Sequence, residues 1–499
     1  MPLLTMSSES SSSYKSIFKA TSLFGGVQVY QILISIIKSK FVALLLGPYG
    51  VGIQGLLTSG TDLIKQLTSF GLSQSAVKNI SEANATGDEI IVSKTIKVLR
   101  KLVWVTGILG ALIVICFSPI LSKASFGNYD YTIPFILLSS TLLLDQICAG
   151  QRTLLQGLRR LKDLARASAI GVTVGLFVSI PLYYILGVRG IVPTLILNSI
   201  TGLLLTWYFS RKVKVQPVII TKQDIKTEGR AMLIMGVALS IGAILVAICS
   251  FVLRSFIRSI GGEDEVGLFA AGFTIINTYV SMVFTAMSTD YYPRLAAVNT
   301  DNVKCRELVN QQAEIGILIL APMLTLCLVF MPLIIMILYS NKFLPAFGYI
   351  SWAAVGMMLK MASWSIAYQF IAKSESKVFI LNEISQNVYT LLLNLLGYKL
   401  YGLTGLGISF LISQLIYLVQ VYCVAHLKYS FVFGRSFVLY FTFQSALVVS
   451  AFMVGYFADG IWLYLLGACS ILISVIFSIK ILNEKIGLLG MIKGVLNKK

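Results

Sequence analysis

Fourteen stretches of this chain are apolar for long enough to cross a lipid bilayer, which leaves it one class of fold. A crossing helix needs about 20 residues to span the hydrocarbon core. With no water there, each crossing must satisfy its backbone polar groups internally. The runs begin with Ile17 to Leu46 and Ile53 to Val77 and end with Phe437 to Phe457 and Ile461 to Ile481. With 57% hydrophobic and 12% charged residues, the chain is excluded from the soluble enzymes of ordinary composition. The expectation is an all-α polytopic membrane protein, and an even number of crossings puts both termini on one side.

Charge says which side. Thirty of the 40 Lys and Arg residues fall on the loops and helix ends that share a side with the termini, and six fall on the opposite side. That asymmetry makes the termini cytoplasmic by the positive-inside rule. A formal net charge of +19 is thereby a topology signal, and no nucleic-acid partner is expected. The apolar run after the Ser-rich segment Met1 to Ser13 is about thirty residues long and lacks a small-residue cleavage site, so it reads as a retained helix rather than a leader.

The seven cysteines form no CxxC pair and mostly lie in apolar runs, where thiols pack as small hydrophobes, so neither a disulfide framework nor a metal is expected. The single histidine, His426, has no carboxylate or cysteine beside it and reads as an interfacial residue.

The chain repeats itself. Gly50-Val51-Gly52 is echoed by Glu265-Val266-Gly267, and Gly187-Val188-Arg189-Gly190 by Gly402-Leu403-Thr404-Gly405, each at a separation of 215. A shared offset at corresponding helix junctions supports a six-plus-six duplication. Two halves with an even number of helices have the same orientation. The expected organisation is a cytoplasmic tail over 1–16, an N-lobe over 17–210 and a basic cytoplasmic loop over 211–230. A C-lobe over 231–427 follows, then two further helices with a basic tail over 428–499.

Lys38, Lys40, Lys65 and Lys360 sit inside apolar runs, and Arg254 and Arg258 lie near the outer end of another. A cation at the bilayer centre costs about 2.5–3.5 kcal/mol, so a chain that keeps several needs an anion, a paired acid or a water-filled cavity to hold them. Lys40 is six residues from the end of its run at Leu46, roughly 9 Å, a long reach for a snorkelling stem. The offset brings Lys40 within one residue of the counterpart of Arg254, and Asp145 onto Lys360. Two such cations facing a central cleft would clamp a phosphate or pyrophosphate, Arg as a bidentate fork and Lys as a point charge. An anionic cargo is expected.

Among the intramembrane acids, Asp62 and Lys65 share a helix face and either neutralise each other or serve coupling. Asp145, Asp290 and Glu383 are candidates to carry protons, bind Na⁺ or order the cations. Asp290 lies near the inner end of its helix beside Tyr291-Tyr292, which favours an interfacial role.

Phe41 to Gly52 (FVALLLGPYGVG), Asp264 to Gly267, Thr289 to Leu295 (TDYYPRL), Ser340 to Phe343, Ile371 to Lys373 and Leu381 to Gln386 (LNEISQ) resemble the O-antigen and enterobacterial-common-antigen flippases. These are the Wzx-type polysaccharide translocases of the multidrug/oligosaccharidyl-lipid/polysaccharide exporter superfamily. The resemblance runs from about Phe18 to Leu427, and Lys40, Arg254, Lys360 and Glu383 fall on charged positions of its pattern. It implies two six-helix lobes around a V-shaped central cavity in the bacterial inner membrane. It also implies an oligosaccharide linked through pyrophosphate to a polyprenol, usually undecaprenol, delivered from the cytoplasmic to the periplasmic leaflet. Two departures stand out. The last pair of helices exceeds the family's twelve, and TDYYP is more polar than the matching segment of some members.

The expected mechanism is alternating access. Lys40 and Arg254, with Lys38, Lys65 and Lys360, hold the pyrophosphate; Glu383, Asp145, Asp62 and Asp290 are the candidates for proton or sodium coupling. No cofactor is expected. Expected partners are the lipid-linked oligosaccharide, membrane lipids and a polysaccharide polymerase. A multidrug exporter of organic cations would line its cavity with acids and aromatics, and the buried cations point away from it. A polymerase or ligase acting on the same lipids would need chemistry on an outer loop. The longest, around Ser122 to Tyr131, has no acid-base pair beyond a lone Asp130.

Overall fold

In the computed structural model, residues 8–458 and 460–486 are described; the start of the N-terminal tail and the basic stretch beyond 486 lie outside them. No strand occurs among the described residues. The helices are α1 (Ser8–Ser69), α2 (Leu72–Ala85), α3 (Glu89–Phe126), α4 (Thr132–Gly157), α5 (Leu161–Leu186), α6 (Ile191–Ser210), the short α7 (Lys222–Asp224) and α8 (Arg230–Thr274). They continue with α9 (Met282–Ala297), α10 (Asn302–Val329), α11 (Met331–Leu338), α12 (Phe347–Ala372), α13 (Ser376–Tyr429), α14 (Arg435–Phe457) and α15 (Gly460–Ile486).

Ten continuous apolar helical spans are long enough to cross a bilayer. Four of them, of 43, 50, 47 and 53 residues, are more than twice the length of one crossing. Each of the four is broken near its middle by a glycine, so that two crossings meet there. Gly47 (φ 64°, ψ −174°) divides the first and Gly262 (φ 79°, ψ −175°) the third. That conformation is open to a residue without Cβ and closed to others. Gly187 (φ 53°, ψ −132°) and Gly402 (φ 58°, ψ −141°) divide the other two. Split in this way, the ten spans contain the fourteen expected crossings.

The second expected run, Ile53 to Val77, is not continuous. It stops at Phe70 and Gly71, both left-handed, and α2 restarts at Leu72. A Cβ on Gly71 would strike the carbonyl of Gly236, so the chain turns where two backbones touch.

The chain forms two compact units, Met1–Val266 and Gly267–Lys499. In the first, α3 and α4 pack closely because Gly107 and Gly150 present no side chain; a Cβ there would meet Leu143 and Val103 respectively, and one on Gly110 of α3 would meet Thr68 of α1. The loop after α6 is tied back to α3. Lys94 pairs with Asp224 at 2.7 Å, Lys97 donates to the Val218 carbonyl at 2.6 Å, and Ser93 accepts from the Gln216 amide at 2.9 Å.

In the second unit, α12 is the inner helix, with Ile350, Met357, Met361, Ile366 and Phe370 fully buried. Helices α14 and α15 pack on α10. Their seam is polar. Gln444 is wholly buried and bonds Ser478 and Ser474, and Lys485 pairs with Glu314 of α10. The two helices added at the C-terminus are thus an integral part of this unit.

Candidate functional site

Six of the charged residues expected within the membrane gather in two places, one in each unit. In the first unit the second crossing runs through the half of α1 that follows Gly47. Its small and hydroxylated residues let neighbours approach: a Cβ on Gly60 would meet Phe135 of α4 and Phe251 of α8. On this helix Lys65 reaches across to Asp145 of α4, Nζ to Oδ2 at 2.8 Å, with about a third of each side chain exposed. The next residue, Gln146, is buried and donates to Thr106 of α3 at 3.0 Å, which holds α4 in register. One turn earlier on α1, Asp62 is exposed and within electrostatic reach of Lys65, Arg254 and Asp145.

Arg254 of α8 donates from Nη1 to the carbonyl of Gly55 at 2.9 Å, pinning the guanidinium beside the same crossing. The structure therefore collects Asp62, Lys65, Asp145 and Arg254 in one cluster. It joins Lys65 to Asp145 rather than to Asp62, although Asp62 is its neighbour on the helix. Lys38 and Lys40 lie in the first crossing, before the Gly47 break, and both are half-buried. Arg258, a turn beyond Arg254, pairs with Glu263 at 3.1 Å and lies against Gly127 in the turn before α4, so it serves the loops.

In the second unit Glu383 of α13 accepts from the Tyr417 hydroxyl at 3.2 Å, across the two arms of the broken helix. One residue away, Asn382 accepts from Gln420 at 2.5 Å. Lys360 of α12 lies within electrostatic reach of Glu383, and its Nζ sits 5.7 Å from the centroid of the Phe284 ring. Phe284 continues into an aromatic group with Trp364, Tyr291 and Tyr368. The hydroxyl of Tyr291 donates to the Ser365 carbonyl at 2.7 Å and fixes α9 to α12. Asp290 is outside this cluster. It is largely exposed and pairs with Arg294 one turn on, at 3.2 Å.

Each cluster joins a carboxylate to a cation across crossings, an arrangement able to exchange a proton or a small cation or to release its cation to an anionic group. Tyr417, Gln420 and Phe284 escaped sequence reasoning, because one polar or aromatic residue in an apolar helix has no periodic signature. The offset of 215 does carry a hint: Asp145 and Lys360, related by it, both meet the second crossing of their own repeat, at Lys65 and at Phe284. Among the described residues no group of His, Cys, Asp and Glu is placed to hold a metal. The ring of His426 contacts the Phe431 carbonyl at 2.9 Å where α13 ends.

Similarity to known proteins follows the same lines. Over 416 residues the chain is 22% identical to the lipid III flippase of Escherichia coli (strain K12), covering 81% of this chain and 96% of that protein. The lipid III flippase of Shigella flexneri gives the same figures. Among solved structures, a multidrug resistance MATE family transporter of the MOP superfamily, in an inward-facing conformation, aligns with a TM-score of 0.67 at 15% identity. That alignment covers 80% of this chain and 94% of the transporter. The lipid II flippase MurJ, inward closed, aligns with a TM-score of 0.62 at 14% identity over 94% of this chain and 100% of its own. That share leaves fewer residues uncovered than α14 and α15 together contain, so at least part of the last pair takes part in the likeness. The two structures establish the fold. A model of the family described as "Polysaccharide biosynthesis protein" matches residues 41–348. Because that pattern runs through more than half of the chain, from Phe41 in the first crossing to Gly348 at the start of the tenth, this protein belongs to the polysaccharide biosynthesis protein family.

Proposed function

We propose that the protein is a flippase for a polyprenol-pyrophosphate-linked oligosaccharide, moving an O-antigen-like repeat unit from the cytoplasmic to the periplasmic leaflet by alternating access. The observation that carries the reading is the likeness to the lipid III flippases over 96% of their length, in a chain that keeps cations within its crossings. Both termini are cytoplasmic in this reading, and the membrane is the bacterial inner membrane.

The cargo's charge gives the cations their task. Arg254, held beside the second crossing by Gly55, brings its charge to the pyrophosphate, and Lys40 and Lys38 supply charge from the first crossing. Lys65 contributes when it leaves Asp145. Lys360 does so from the second unit when it leaves Glu383. An inside-negative potential favours export of the anion by about 2.3 kcal/mol per net charge per 100 mV. A proton or a sodium ion taken up by Glu383 or Asp145, with Asp62 beside it, resets the empty carrier. Asp290, at the surface with Arg294, is the least suited of the coupling candidates. The work is transport without bond-making, and a polysaccharide polymerase is the natural consumer of the product.

The test is reconstitution of the protein in vesicles with a fluorescent lipid-linked oligosaccharide, scored for exchange between leaflets. Protein-dependent exchange that is slowed about tenfold or more in Arg254→Ala supports the reading. Exchange no faster than in protein-free vesicles, with efflux of organic cations instead, overturns it in favour of a multidrug exporter.

A further inference from the structure

Between the N-terminal part of α3 and the C-terminal part of α4 a shallow cleft of about 60 Å³ opens in the first unit. Val103, Ile147 and Leu154 form its apolar wall, and Trp104, half exposed, stands at its edge. Arg100 and Gln151 are its polar members, and no carboxylate lines it. The floor is fixed, since Gly150 lies so close to α3 that a Cβ would come within 2.8 Å of Val103.

Two groups in this cleft call for a ligand. The Oε1 of Gln151 is buried and has no hydrogen-bond partner, which is unfavourable unless a donor arrives. Arg100 offers five N–H donors in a planar fork that matches a phosphate. Arg100 lies five residues into its apolar run and Gln151 four residues before the end of its own, so both sit about 6–8 Å inside the membrane boundary. From there the long Arg100 stem reaches the level of the lipid phosphates by snorkelling.

We infer that this cleft is a binding site for an anionic phospholipid with a hydroxylated head, phosphatidylglycerol. Its phosphate pairs with Arg100, a glycerol hydroxyl donates to Gln151 Oε1, and one acyl chain lies along Val103, Ile147 and Leu154 beneath Trp104. Lys97, Lys101 and Arg152 flank the two polar residues in sequence and repel a head that carries an ammonium group, which selects the anionic lipid over zwitterionic ones. The inference rests on placing the basic ends at the cytoplasmic leaflet and is independent of what is transported.

Trp104 makes the site readable. The full-length protein is placed in phosphatidylcholine nanodiscs doped with phosphatidylglycerol brominated on its acyl chains, and tryptophan fluorescence is recorded. The chain has five tryptophans, so the signal from Trp104 is the difference between the parent and Trp104→Phe. Quenching of Trp104 should exceed that by equally brominated phosphatidylcholine by about five-fold, the effect of one basic contact near a membrane surface. Arg100→Gln should abolish the excess and Arg100→Lys should retain most of it, which separates loss of the site from misfolding. Equal quenching by the two lipids, or an excess that survives Arg100→Gln, overturns the proposal. So does displacement of the brominated lipid by equimolar undecaprenyl phosphate, which would assign the cleft to the path of a polyprenyl substrate.

Discussion

Arg159 and Ser374, 215 residues apart, end their helices in the same left-handed conformation, with φ of 54° and 59°. The hydrogen bonds around them match one for one. The amide of Arg160 reaches the Leu155 carbonyl at 2.8 Å as that of Glu375 reaches Phe370 at 2.9 Å, and the pair Leu158–Leu154 corresponds to Lys373–Gln369. With the paired breaks at Gly47 and Gly262, and at Gly187 and Gly402, this makes the duplication a property of the backbone as well as of a few letters.

Neither Arg159 nor Ser374 is glycine, so each carries the steric cost of a Cβ at positive φ. Ser374→Gly and Arg159→Gly should each stabilise the protein by about 0.5–1 kcal/mol. Thermal unfolding in detergent should show a rise of about 2 °C for each, and an additive rise for the pair.

The Lys65–Asp145 bridge is open to a double-mutant cycle. Lys65→Ala and Asp145→Ala should each destabilise, while the double variant loses less than their sum, with a coupling of about 1 kcal/mol because the pair is a third exposed. The exchanged pair Lys65→Asp with Asp145→Lys should recover more flipping than either single exchange. Zero coupling would mean that the two residues act separately.

Arg254→Ala and Lys40→Ala should slow flipping roughly tenfold to a hundredfold while the protein still reaches the membrane, since each removes charge-assisted hydrogen bonds worth about 1.5–3 kcal/mol. Lys40→Arg should retain more activity than Lys40→Gln. Initial rates of leaflet exchange at subsaturating substrate distinguish them, and equal rates for the Arg and Gln variants would remove Lys40 from the pyrophosphate clamp.

Gln444 joins α14 to α15 from a fully buried position. Its replacement by Leu should cost about 0.6–1.7 kcal/mol, the usual worth of an interhelical hydrogen bond in a membrane. Cysteine crosslinking between α14 and α15 in native membranes should fall in Gln444→Leu and stay unchanged in Gln444→Asn if the amide is what holds the two helices.

The loop after α6 should respond to acid. The Lys94 ammonium beside Asp224, helped by the Thr221 amide and hydroxyl, holds its carboxyl down to about 2. A depressed carboxylate stabilises fully above its unfolded value of about 3.9 and loses that contribution as pH falls toward about 2. Hydrogen-exchange protection of residues 214–221, corrected for intrinsic pH dependence, should drop across that window in the parent. Asp224→Asn should show low protection throughout and no step.

The class of fold was written in the lengths of the apolar runs, because a bilayer demands some twenty apolar residues per crossing wherever they stand in the chain. The repeat was equally legible, since Gly187 and Gly402 mark turns that other residues resist. The cations could be picked out one by one, as each breaks an apolar run at a cost that composition alone makes visible. Their partners could not. Lys65 and Asp145 are 80 residues apart, Glu383 and Tyr417 are 34 apart, and nothing local in either helix says which face meets which. The break at Phe70 and Gly71 was hidden for the same reason, because it depends on the backbone of Gly236 arriving from a distant helix. What the sequence determined by itself was therefore how many times the chain crosses the membrane, where the paired glycine turns fall and which side is basic. Tertiary structure decided which charges neutralise each other, because helix packing brings distant residues into contact at ångström range, and that proximity sets the partner of each charge.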